Sequence, residues 1–152
     1  MMSEIIIRDI KIEDLDDIME VEKLSFHTPW SRESFIKEIT ENKLALYIVA
    51  EIDGKVVAYC GIWIIVDEGH ITNVAVHPEY RGNAIGKKLV KALIAKCKKI
   101  NIEQLTLEVR VNNDVAIHLY ESFGFKGVGV RKGYYTDTKE DALIMWYGQI
   151  NQ

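Results

Sequence analysis

Residues 81–87 read Arg81-Gly82-Asn83-Ala84-Ile85-Gly86-Lys87, a run of small residues set directly before a basic amphipathic segment. The first N–H groups of a helix have no intrahelical acceptor, so such a turn suits a phosphate or pyrophosphate. It is not a nucleotide-hydrolysing loop. Gly82 and Gly86 stand one residue too close, and Lys88 takes the place of the Ser or Thr that would hold magnesium. The dinucleotide spacing Gly-x-Gly-x-x-Gly is missing as well. A second group of interest is Glu108. In Leu105-Thr106-Leu107-Glu108-Val109 the apolar residues alternate with polar ones, so its carboxylate leaves the face opposite Leu107, either into water or into a site. Tyr120 stands on a helical segment among Ile117, Leu119 and Phe123, as a core aromatic would. His70, His77 and His118 are expected to sit singly, and no Ser-His-Asp or Cys-His set is suggested, so any group transfer is expected to be direct. Cys60 and Cys97 lack partners at metal-ligand spacing, read as reduced core thiols, and leave no metal expected.

These residues need a scaffold, and composition permits one. The chain has 152 residues, 48% hydrophobic and 28% charged, with a net charge of −4, as expected of one soluble domain over residues 1–152. Residues 56–66 form the longest uncharged run, too short for a membrane span, and residues 1–4 carry no secretory signal, so a cytoplasmic setting is expected. Charge is uneven: residues 1–80 sum to −9, residues 81–100 to +7 and residues 101–152 to −2. An acidic total argues against general nucleic-acid binding, while the basic segment, with Ile85, Leu89, Leu93 and Cys97 every fourth residue, predicts one helix with a basic outer face. Strands are predicted at 5–8, 44–52, 56–66, 70–76, 104–109, 125–130 and 142–147. Helices are predicted at 13–24, from a Ser31 N-cap to about 42, after residue 84, and at 114–123 closed by Gly124. The order βααβββαβαββ describes an α/β fold, a mixed sheet with helices on both faces. The first helix carries Glu13, Asp14, Asp16, Asp17, Glu20 and Glu22, expected to be solvated or to steer a basic partner.

The loop resembles the acetyl-CoA pyrophosphate loop of the GNAT acetyltransferases, Gln/Arg-x-x-Gly-x-Gly/Ala, with Arg81 first, Gly86 last and Ala84 where glycine is usual. A helical φ at Ala84 would leave its N–H donating, whereas a positive φ would make its methyl an obstruction. Three further segments narrow the resemblance to the RimI subfamily: Phe26-His27-Thr28-Pro29-Trp30-Ser31; Leu107-Glu108-Val109-Arg110 with Asn113 and residues 116–125; and Tyr134-Tyr135 followed by Glu140-Asp141-Ala142 and Met145.

The resemblance implies a central sheet whose fourth and fifth strands splay apart, with the pantetheine of acetyl-CoA between them. It implies transfer of acetyl to the N-terminal alanine of a small-subunit ribosomal protein. Glu108 would be the general base, and Tyr120 would return a proton to the departing sulfur. Cofactor contacts would come from Val74, Ala75 and Val76, whose backbone would include the oxyanion donor. They would also come from Arg81, Gly82, Asn83, Ala84, Ile85, Gly86 and Lys87, and from Asn113, which could instead cap its helix. Trp30, Tyr134 and Tyr135 would wall the acceptor groove, unless they simply pack. The alternatives are a GNAT enzyme for another amine (a different protein terminus, an internal lysine or a polyamine) and a noncatalytic acetyl-CoA-binding module. The joint presence of Glu108 and Tyr120 argues against the last.

Overall fold

A computed structural model describes residues 4–26 and 28–148; Met1, Met2, Ser3 and His27, invoked above, lie outside the described residues. In chain order the elements are β1 (Ile5–Asp9), a 3-10 turn (Ile12–Asp14), α1 (Leu15–Ser25), α2 (Arg32–Thr40), β2 (Ala45–Ile52), β3 (Lys55–Ile65) and β4 (Glu68–Val76). A second 3-10 turn (Pro78–Tyr80) precedes α3 (Ile85–Lys99), β5 (Gln104–Arg110), α4 (Asp114–Ser122), β6 (Lys126–Tyr135) and β7 (Glu140–Tyr147). The seven strands form one sheet in the order β1-β2-β3-β4-β5-β7-β6, antiparallel except between β4 and β5.

Local chemistry accounts for the boundaries. Ser31 accepts from the Ser34 N–H at 3.1 Å and starts α2; Asn113 accepts from the Ala116 N–H at 3.1 Å and starts α4. Asp53 and Gly54 both take positive φ, the pair a tight antiparallel hairpin requires between β2 and β3. On α3, Ile85, Leu89, Val90, Leu93, Ile94 and Cys97 are buried and face β2, β3 and β4, while α1 and α2 cover the other face through Leu15, Ile18, Val21 and Phe35. The last hairpin is longer than its apolar pattern predicts, because after an irregularity the β6–β7 ladder resumes and carries β6 to Tyr135.

The acidic first helix is a solvated face only in part: Glu13, Asp16 and Glu20 are exposed, whereas Asp14 and Glu22 are buried, and most of the six carboxylates are paired. Asp14 is held by both terminal nitrogens of Arg8 at 2.8 and 2.9 Å, Asp16 meets Arg32 at 2.7 Å, and Asp17 accepts the Val56 N–H at 3.0 Å. Glu20 binds Lys55 and His77, and Glu22, 2% exposed, accepts from the Tyr59 hydroxyl and the Trp30 N–H. Five of these six carboxylates therefore tie the α1 segment to its neighbours, because one face of the helix lies across the sheet.

Candidate active site where β4 and β5 part

The β4–β5 ladder has three rungs, Glu68–Gln104, Gly69–Leu105 and His70–Thr106. Beyond them β4 runs on to Val76, and Val74, Ala75 and Val76 pair with Cys60, Tyr59 and Ala58 of β3 on one edge only. The sheet thus opens into a V whose arms present unpaired backbone.

On β5 the alternation holds. Leu105, Leu107 and Val109 are buried toward α3, and Thr106 and Glu108 face the other way. Glu108 is nevertheless not a solvated carboxylate. Its side chain is 10% exposed, its Oε1 lies 2.7 Å from Nε2 of His70, and its Oε2 lies 3.8 Å from the Arg131 guanidinium. The expectation that His70 and His77 sit singly is therefore corrected. The His70–Thr106 rung puts the His70 ring one step from Glu108, and Nε2 of His77 meets Glu20 at 2.7 Å. His118 is exposed. Sequence reasoning also missed Arg131, since nothing local shows that β6, which pairs with β7 on the far side from β5, will bring a side chain back to Glu108.

Glu108 and His70 line a cleft of about 400 Å³ with Thr106, Arg131, Ile144 and Trp146. Beside it Arg110 stacks over the Tyr135 ring at 4.0 Å and hydrogen-bonds Asp137, Thr138 and Glu140, so one guanidinium ties down the β6–β7 hairpin. Tyr134 stands edge-on to Tyr135 at 5.1 Å, with Arg131 at 5.7 Å. Burial pushes the Tyr135 hydroxyl up to about 12, and burial with the Glu108 charge raises that of Tyr134, so both phenols stay protonated at neutral pH. Trp30 belongs elsewhere: it packs on Phe35 at 5.3 Å and lines a separate groove along α2.

Tyr120 projects from α4 into the core on the far side of the sheet from Glu108, packed on Phe125 at 5.5 Å. Burial raises its hydroxyl well above the usual phenol range, so it too keeps its proton. At the end of β4, Arg81 donates from Nε to the Val76 carbonyl at 3.1 Å and Asn83 donates from Nδ2 to that of Tyr80. The first helical hydrogen bond is Lys88 N–H to Ala84, so the N–H groups of Ile85, Gly86 and Lys87 precede the helical ladder. Ala84 takes φ +59° and ψ +24°, the left-handed region, which makes its methyl the feature to test in this loop. A Cβ on Gly86 would find only ordinary contacts, with Leu119 at 3.7 Å and Val76 at 3.8 Å.

Comparison with known proteins agrees. The acetyltransferase (GNAT) family profile matches residues 15–125. The chain belongs to the GNAT acetyltransferase family. Over 92% of its length it is 48% identical to a candidate [ribosomal protein bS18]-alanine N-acetyltransferase of Bacillus subtilis, covering 93% of that protein. Over 91% it is 35% identical to the [ribosomal protein bS18]-alanine N-acetyltransferase of Escherichia coli K12, covering 94% of it. The crystal structure of the Escherichia coli enzyme superposes with a TM-score of 0.88 at 32% identity, covering 98% of this chain and 97% of that one. A PaiA N-acetyltransferase from Thermoplasma acidophilum, solved with coenzyme A, superposes at 0.81 with 25% identity, covering 96% of this chain and 99% of that one.

As a GNAT fold, the V has its physical sense. Acetyl-CoA, the cosubstrate of these acetyltransferases, carries a pyrophosphate and an amide-bearing arm. The helix start at residues 85–87 and the one-sided edge of β4 are the kinds of donor each needs.

Proposed function

We propose that this chain transfers acetyl from acetyl-CoA to the α-amine of an N-terminal alanine, on a small-subunit ribosomal protein, in the cytoplasm. Kinship with the bS18 enzymes supports the acceptor. The observation that carries the chemistry is the Glu108–His70 pair at the parting of β4 and β5.

The pyrophosphate rests on residues 81–87, with the N–H groups of Ile85, Gly86 and Lys87 as donors. Acetyl-CoA supplies an activated acyl group on sulfur. Backbone N–H within Val74-Ala75-Val76 steadies charge on the acyl oxygen, and Asn113, besides capping α4, borders the pantetheine arm. The acceptor's first residue sits on the Glu108 face, flanked by Tyr134 and Tyr135, with Trp30 farther out on the α1–α2 side. Glu108 takes the ammonium proton, and His70, hydrogen-bonded at Oε1, holds the carboxylate toward the V. The nitrogen bonds to the acyl carbon and sheds its surplus proton to water, the carbon–sulfur bond breaks, and Tyr120 gives the thiolate its proton from the opposite face and regains one from solvent. Base and acid on opposite faces can serve one reaction because the sheet is open between them.

Acid–base chemistry favours an α-amine over lysine. With reference values of ~8 and ~10.4, its neutral fraction at pH 7 is a few hundred times larger. The test uses matched basic peptides beginning with Ala, Leu or blocked Ala, each with one internal lysine, and locates the acetyl by fragmentation. Modification of the free Ala terminus is expected. Rapid acetylation of the blocked peptide's lysine with little at free Ala overturns the acceptor assignment and leaves a GNAT enzyme for another amine.

A further inference from the structure

The cleft that holds Glu108 extends past His70 to Glu68, the first residue of β4. Ladder register sets the spacing. Glu68 lies level with Gln104, His70 with Thr106 and Trp146, and Glu108 with Ile144. At ~3.4 Å per residue these rows are ~7 Å apart, so Glu68 is ~14 Å from Glu108 along the sheet. Around the Glu68 end stand Trp146, Ile65 at 48% exposure and Val128 at 55%. Among the described residues, the Glu68 carboxylate has no hydrogen bond or ion pair, whereas Glu108 has both His70 and Arg131.

A half-buried, unpartnered carboxylate beside an indole and two aliphatic side chains is complementary to a long cationic side chain. The stem covers apolar surface, the charged head meets the carboxylate, and a guanidinium can also stack on the ring. We infer that Glu68, Trp146, Ile65 and Val128 form a specificity subsite for a basic residue at the second or third position of the acceptor. The inference rests on the proposed N-terminal reaction, because the α-amine at Glu108 fixes the start of the count. An extended chain advances ~3.4 Å per residue, so its second and third residues begin ~3 to 7 Å from the amine. An arginine or lysine side chain spans the remaining distance to the Glu68 carboxylate, which an Ala or Ser cannot. Glu68 touches no reacting atom, so its effect belongs in acceptor binding and not in turnover.

The experiment compares Ala-first peptides identical except at positions two and three, which carry Arg, Gln or Glu. Wild-type protein, Glu68→Gln and Glu68→Lys are assayed at low ionic strength. For the wild type, KM is expected to be at least fivefold lower for the Arg peptide than for the Gln peptide, with similar kcat. Glu68→Gln collapses that ratio toward one, and Glu68→Lys inverts the order so that the Glu peptide has the lowest KM. A new preference of that kind cannot arise from misfolding. Equal KM values across the peptides, or an Arg preference that survives Glu68→Gln, overturns the subsite while leaving the N-terminal reaction standing. Failure of the wild type on every Ala-first peptide overturns both.

Discussion

Ala84 is a place where this chain departs from its family's loop, and the departure has a calculable cost. Its φ of +59° places a Cβ where L-residues are disfavoured by about 1–2 kcal/mol. Ala84→Gly removes that penalty, but glycine gives the unfolded chain more freedom, worth about 0.4–1 kcal/mol in the opposite direction. The net expectation is a gain of roughly 0.5–1 kcal/mol. At about 2–4 °C per kcal/mol for a domain of this size, the melting temperature should rise by about 1–4 °C. Ala95→Gly is the matched control: Ala95 is exposed in the interior of the same α3 helix, where glycine costs about 1 kcal/mol, and its melting temperature should fall by a similar amount. Thermal unfolding by circular dichroism reads both, and calorimetric titration with acetyl-CoA on the same samples should show tighter binding to Ala84→Gly, since the phosphate approach loses a methyl. Two variants that fall in parallel would refute the reasoning, because they would mean that Ala84 carries no left-handed strain.

Glu108→Gln keeps the shape of the side chain and removes its basic oxygen. Turnover should fall by roughly 10²- to 10⁴-fold, with partial recovery at high pH as more acceptor amine is neutral, and unchanged turnover at every pH would remove the base role. Tyr120→Phe should keep acetyl-CoA affinity and lose turnover; a change in melting temperature alone would make Tyr120 a packing residue. Asp14 titrates below its ordinary value because Arg8 hydrogen-bonds its carboxylate, so the unfolded chain binds the proton first as pH falls. The stability advantage of wild type over Asp14→Asn should therefore be full above pH ~5 and shrink as pH falls through ~4 and below; an advantage that is independent of pH would assign it to packing.

Much of this architecture is local and so was legible. Apolar residues four apart predict α3, Ser31 announces α2, and the alternation in β5 fixes which way Glu108 points. Glu22 was also within reach: Leu15, Ile18 and Glu22 fall at i, i+3 and i+7, which puts the carboxylate on the buried stripe, yet its neighbours' charges disguised it. His70 was not within reach. It meets Glu108 across 38 residues, and only the register of a three-rung parallel ladder decides the meeting. The conformation of Ala84 is a property of a turn whose neighbours would suit either hand, and the two carboxylates of the cleft, one partnered and one free, separate only once β6 and β7 are in place.

Arg110 stands two residues beyond Glu108 on β5, so a single short stretch of strand carries both the carboxylate and the anchor of the hairpin that bears Tyr134 and Tyr135. A displacement of β5 is then common-mode: base and aromatic wall travel together, and the interval between them is insulated from breathing of the V. Salt acts differently on the two parts of that anchor. The links from Arg110 to Asp137 and Glu140 are partly exposed and weaken with screening, while the stack on Tyr135 does not depend on charge pairing across water. Raising ionic strength should thus slacken the tip of the hairpin and leave its aromatic base in register with the chemistry.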